Sequence, residues 1–208
     1  MGVLTHIVKL SSFDARAVIL SRLQHCSVGT HLYISLHTNK AEATSSKERA
    51  AAIAPTLTPT ERSFLQTLVE HIPALSAINL PIAASYERAR DGEPPVNAYA
   101  SWSSSRKDVP VRLCGDRGAH HIEVRTIDGT SNPYLVLAGV LAAGLLGVLN
   151  GAKLTFGDCL PRTLCDARRL LQEDGALREK LGEEFVSRFL SANESTEGDN
   201  FAHMIERY

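Results

Sequence analysis

Residues 114–137 read CGDRGAHHIEVRTIDGTSNPYLVL, a stretch that leaves a turn, runs on as a strand and then opens a helix. His121, Glu123 and Arg125 recur in it at period two, so in extended backbone they share one face, while Ile122 and Val124 point the other way into a core. His120, by the same alternation, faces away from His121. Asn132 suits an N-cap and Pro133 the first helical position; the apolar body Leu135 to Leu149 then ends at Asn150 and Gly151. A base, a carboxylate and a guanidinium in line can hold a metal ion beside an anionic substrate.

Upstream, HLYISLH (31–37) alternates, with His31, Tyr33, Ser35 and His37 on one side and Leu32, Ile34 and Leu36 on the other, as a half-buried strand does. Residues 38–61 turn polar, Ala-rich and Pro-broken, a loop by composition up to Thr58. Thr58, Pro59 and Glu61 form a capping-box start, and Phe64, Leu65, Leu68, Val69 and Ile72 continue at helical spacing, predicting a helix to about Ala77. Ala98 to Trp102 and Val109 to Leu113 are short strands expected to pair antiparallel. Tyr86 and Trp102 are read as packing residues. From Leu164 to Leu190 the apolar spacing predicts one or two amphipathic helices, with Gly175 and Gly182 as breaks. Neither a repeat nor a linker divides residues 1–208, so a single unit is expected.

The 208 residues are 44% hydrophobic and 22% charged, which places the chain among globular proteins. A net charge of -1 with no basic run offers no footprint for nucleic acid or an anionic membrane, so a small molecule is the expected partner. Cys26, Cys114, Cys159 and Cys165 show no CxxC or zinc spacing and no activating neighbour; reduced thiols without a catalytic role and a cytoplasmic location are expected. The N-terminus lacks the composition of a secretory signal. The run Leu135 to Leu149 is short of the roughly 20 residues of a bilayer crossing and is read as a buried helix.

For any one polar-faced strand, a solvent face is the simpler reading. Here two such strands are joined by Arg106, Lys107 and Arg112 and by Arg88 and Arg90, so one concave face could collect His31, Glu123 and several guanidinium groups. Arginine's planar fork suits carboxylate and phosphate. His31 with Glu123 suits magnesium or manganese only with further oxygen ligands.

In this order, VGTHLYISL, SYERARDG, RKDVPVRLCG, HHIEVRTIDGTSNPYLVLAGVLAAGLLGVLNG, DCLPRTLCDARRLLQED and the final ERY resemble the C-terminal half of the glutamine synthetase catalytic domain, most closely its fungal FluG-like branch. The resemblance covers nearly the whole chain. It implies an α+β fold, a curved antiparallel sheet covered by helices. It also implies that the family's N-terminal β-domain and the first half of its catalytic domain lie outside residues 1–208, leaving apolar surface exposed where that half would pack. The family's chemistry is an ATP-dependent carboxylate–amine ligation: glutamate takes the terminal phosphoryl group, and ammonia or another amine displaces phosphate from the acyl phosphate.

On that resemblance His31 and Glu123 would be ligands of magnesium or manganese, and Arg88 and Arg125 would hold the glutamate-like substrate. Tyr33, Ser35, Arg112 and His121 would border the nucleotide, and Lys107 and Arg112 would stabilise transferring charge. A homo-oligomer or a full-length paralogue would be the protein partner. The chain departs from the family where Lys107 and His121 replace arginines, Tyr33 replaces a second histidine, Pro94 replaces a loop acid, and Cys26 and Ser27 replace an Asn-Gly pair. A catalytically silent homologue, binding a ligand or a related subunit, is the alternative.

Overall fold

The computed structural model describes residues 5–10, 29–37, 57–86, 99–115, 120–152, 154 and 160–194. Its elements are β1 (Thr5–Leu10), β2 (Gly29–His37), α1 (Pro59–Asn79), β3 (Trp102–Ser103), β4 (Val111–Cys114), β5 (His121–Asp128), α2 (Pro133–Asn150), α3 (Leu164–Glu173), α4 (Gly175–Leu181) and α5 (Glu183–Glu194). The five strands form one sheet in the order β1-β2-β5-β4-β3. Pairing is antiparallel between β1 and β2, β2 and β5, and β5 and β4. The expected antiparallel pairing at the far edge does not occur: β3 runs parallel to β4, Trp102 opposite Val111, because the chain crosses over between them instead of turning back in a hairpin.

Local chemistry explains the helix ends. The Thr58 hydroxyl accepts the Glu61 N–H at 3.2 Å and Glu61 Oε2 accepts the Thr58 N–H at 2.7 Å, the capping box the sequence predicts. Asn132 Oδ1 accepts the N–H groups of Tyr134 and Leu135, and Gly151 ends α2 in the left-handed region at φ 62°. The C-terminal third makes three helices, broken at Asp174 and Gly182.

The apolar face of the sheet, carrying Leu32, Ile34, Val111, Leu113, Ile122 and Val124, is covered by α1, whose Phe64, Leu65, Leu68, Ile72 and Leu75 are fully buried. α1 tolerates Pro73 in its interior, which by itself costs about 3 kcal/mol. Each fully buried Leu, Ile or Phe contributes roughly 1.5–3 kcal/mol, which offsets that loss. α2 lies against α1 so closely that a Cβ on Gly147 would stand 1.9 Å from the Ser63 carbonyl oxygen. Ser63 Oγ donates to the Ala152 carbonyl at 3.0 Å and pins the same contact. α2 is not the buried helix expected. Val136, Gly139, Val140, Ala143, Gly144, Leu146 and Gly147 face inward, but Tyr134 (80% exposed) and Leu149 (68%) face out. By length and composition α2 could cross a membrane, although its inward face is committed to α1.

Candidate active site

The opposite face of the sheet is polar, and register decides what meets on it. Glu123 of β5 stands opposite Tyr33 of β2 on one side and Arg112 of β4 on the other. Between Thr30 and Leu32 the β2–β5 register shifts by one, so Arg125 and Thr126 together stand opposite His31. Such a bulge re-aims side chains. It also lets Ile127, rather than Thr126, follow Ile122 and Val124 into the core.

Glu123 is the hub. Its side chain is 2% exposed, and its Oε1 accepts the Tyr33 hydroxyl, Arg125 Nη1 and His31 Nδ1, each at 2.9 Å. Oε2 accepts Arg112 Nη1 at 3.1 Å and the Cys114 thiol at 3.7 Å. Burial pushes this carboxyl upward, but the Tyr33 hydrogen bond and the charges of Arg125, His31 and Arg112 outweigh it and hold Glu123 below the usual carboxylate value. Burial pushes His31 down, Arg125 and Arg112 add to that, and Glu123 opposes it. The Tyr33 phenol and the Cys114 thiol are pushed up, each chiefly by burial and further by Glu123. At neutral pH the cluster is therefore two guanidinium cations, one carboxylate and neutral donors.

His121 joins the cluster through its ring, 5.6 Å from that of Tyr33, and the His31 and Tyr33 rings lie 6.5 Å apart, edge to face. Ser35 lies one step further along the same strand face. Lys107 stands exposed between β3 and β4, and the contacts to Glu123 come from other residues. Arg88, Arg90 and Pro94 lie outside the described residues, as do Cys26, Ser27 and Cys159. Tyr86 and Trp102 are buried, as packing residues are. His120 does face away from His121: it is buried on the core side, its Nδ1 3.4 Å from Oε1 of Glu61, the residue that caps α1. At the end of β5, buried Asp128 accepts the Thr130 N–H at 2.9 Å and the Ser85 hydroxyl, fixing the turn into α2.

Sequence reasoning gave Cys114 no part in the site, yet its thiol reaches Glu123. The signal was the β4 alternation, which puts Cys114 on the Arg112 face and opposite His121. For a divalent cation the residues do not fit as they stand. Among the described residues no group of three His, Cys, Asp or Glu side chains assembles, and both oxygens of Glu123 are already engaged, two of their partners being cations.

A mixed sheet with helices on one face and a carboxylate–guanidinium cluster on the other makes an α+β domain. The glutamine synthetase catalytic-domain family matches residues 15–208, and the chain belongs to that family. Relatives include protein fluG of Emericella nidulans, 31% identical over 62% of this chain and 17% of that protein. Glutamine synthetase of Halobacterium salinarum is 33% identical over 65% of this chain and 34% of its own length. Gamma-glutamylputrescine synthetase PuuA of Escherichia coli is 30% identical over 78% and 35%. A solved structure described as a novel glutamine synthase homolog superposes with a TM-score of 0.70 at 27% identity, over 86% of this chain and 44% of that one. The chain thus spans less than half the length of each of these relatives.

Proposed function

We propose that this chain supplies the guanidinium-rich wall of a glutamine synthetase-type ligase site, in which ATP phosphorylates the side-chain carboxylate of a glutamate-like acid and ammonia or another amine displaces the phosphate. The observation that carries the reading is the placement of Arg112 and Arg125 on either side of Glu123, on one sheet face. Charge neutralisation and positioning dominate phosphoryl transfer, and two planar forks, each less than a third exposed, suit phosphate and carboxylate oxygens. In this reading Arg125, with Arg88, holds the acid, while Arg112, Tyr33, Ser35 and His121 border the nucleotide. Lys107, exposed between β3 and β4, is the cation that would meet transferring charge. The family's magnesium or manganese would need oxygen ligands beyond His31 and Glu123.

Phosphate release that depends on ATP, glutamate and amine, and falls at least about a hundredfold in Arg125→Ala, is the expected result. Release equal in parent and variant, or none in the parent, would remove the ligase reading.

The second reading, a binding or subunit-interaction protein, is favoured by the uncharged outward face of α2 with Tyr134 and Leu149 exposed. Sedimentation of the parent against Tyr134→Glu/Leu149→Glu tests it; a parent that is monomeric throughout would speak against it.

A further inference from the structure

We propose that Glu123 is the buried counter-ion of a two-arginine receptor for phosphate or carboxylate groups, and that it does not serve as a ligand for a free divalent cation. The anion half rests on the ligase reading; the exclusion of a cation goes beyond it, and both are measured as binding, apart from turnover. Five donors converge on a carboxylate that has about four lone-pair sites: Tyr33, His31 and Arg125 on Oε1, Arg112 and Cys114 on Oε2. A metal ion would have to displace at least one of them.

Arg112 and Arg125, always charged, reach the two carboxylate oxygens at 3.1 and 2.9 Å, so a cation at either oxygen would sit beside a guanidinium.

The same arrangement favours an anion. Two guanidinium charges face one carboxylate, leaving the cluster net positive. Arg112 and Arg125 side chains remain 29% and 22% exposed, open enough to receive a ligand and enclosed enough to weaken competition from water. Arg112 Nε is buried and makes no hydrogen bond among the described residues, a donor left over at the cluster's edge. Glu123 accepts from one nitrogen of each fork, so it orients both arginines without exhausting their donors.

Pyrophosphate and Mn²⁺ are the probes. In EDTA, calorimetry should show pyrophosphate binding to the full chain, weakened about tenfold or more in Arg112→Gln and in Arg125→Gln, the loss of one charge-assisted hydrogen bond each. Mn²⁺ alone should leave the free-ion spin-resonance signal undiminished and the melting midpoint where EDTA puts it. Glu123→Gln should lower that midpoint equally in EDTA and in Mn²⁺. Mn²⁺ binding that raises the parent's midpoint and disappears in His31→Asn would overturn the proposal, as would pyrophosphate binding that needs Mn²⁺ or is absent altogether. If Glu123→Gln does not fold, the parent's paired melts and the arginine variants still decide. Failure of ligase turnover leaves these measurements intact.

Discussion

The two faces of the sheet are held by opposite means. On one, α1 and the α1–α2 contact fit by shape, with Gly147 where backbone meets backbone, Gly144 against the Phe64 ring, and Phe64, Leu68 and Ile72 fully buried. On the other, a carboxylate buried to 2% is balanced by two arginines, a tyrosine, a histidine and a thiol. The first region is intolerant of volume and rests chiefly on apolar packing. The second has room at its rim and is intolerant of charge imbalance. The difference teaches where this chain can change: packing errors should cost folding, whereas polar-face errors should cost both folding and ligand recognition.

Phe64→Ala should give the largest loss, about 3–5 kcal/mol, because the ring is fully buried and packs directly on Gly144 of α2; denaturant melts would show it, and a loss under about 1 kcal/mol would mean that α1 is not the core helix. Next, Glu123→Ala should cost about 3 kcal/mol, toward the low end for a broken buried pair because both arginines can rehydrate. The contrast between faces sharpens if Glu123→Gln/Arg112→Gln loses less than the sum of its singles, the coupling that a double-mutant cycle reads. Gly147→Ala should cost about 1–3 kcal/mol or more, since the Ser63 carbonyl in its way is main chain. Smallest, Thr58→Ala should cost about 1 kcal/mol by losing the capping box, with no effect on anion binding.

Acid should separate the faces without mutation. Glu123 has a folded-state pKa below its ordinary value, so its contribution is complete above the unfolded carboxylate pKa, about 4.3, and is lost as pH falls through the depressed folded value. His31 is also depressed, from 6.5; its contribution is complete above 6.5 and declines as pH falls through its folded value. Stability should hold above about pH 6.5 and fall in two stages below it. His31→Asn should remove the upper stage and Glu123→Gln the lower one, and a single stage unchanged by either would contradict the assignment.

Much of this was legible along the chain because it is local. The Thr58–Glu61 box, the Asn132 cap, the Gly151 stop and the period-two faces of β2 and β5 each depend on residues within a few positions of one another. Elements whose partners are distant in sequence were harder: β1 was not anticipated, β3–β4 turned out parallel, and α2 proved half exposed. The ordered motifs carried the family, and the family match agrees.

Alternation along single strands therefore determined that His31, Tyr33, Arg112, His121, Glu123 and Arg125 would each lie on a polar face. That these faces form one surface, that Tyr33 and Arg112 flank Glu123, that a bulge sets Arg125 beside His31 and that Cys114 joins them were decided only by strand pairing. The physical reason is range: a side chain's direction follows from its own backbone, but which charges neutralise one another depends on register between strands far apart in sequence, Tyr33 and Glu123 being 90 residues apart.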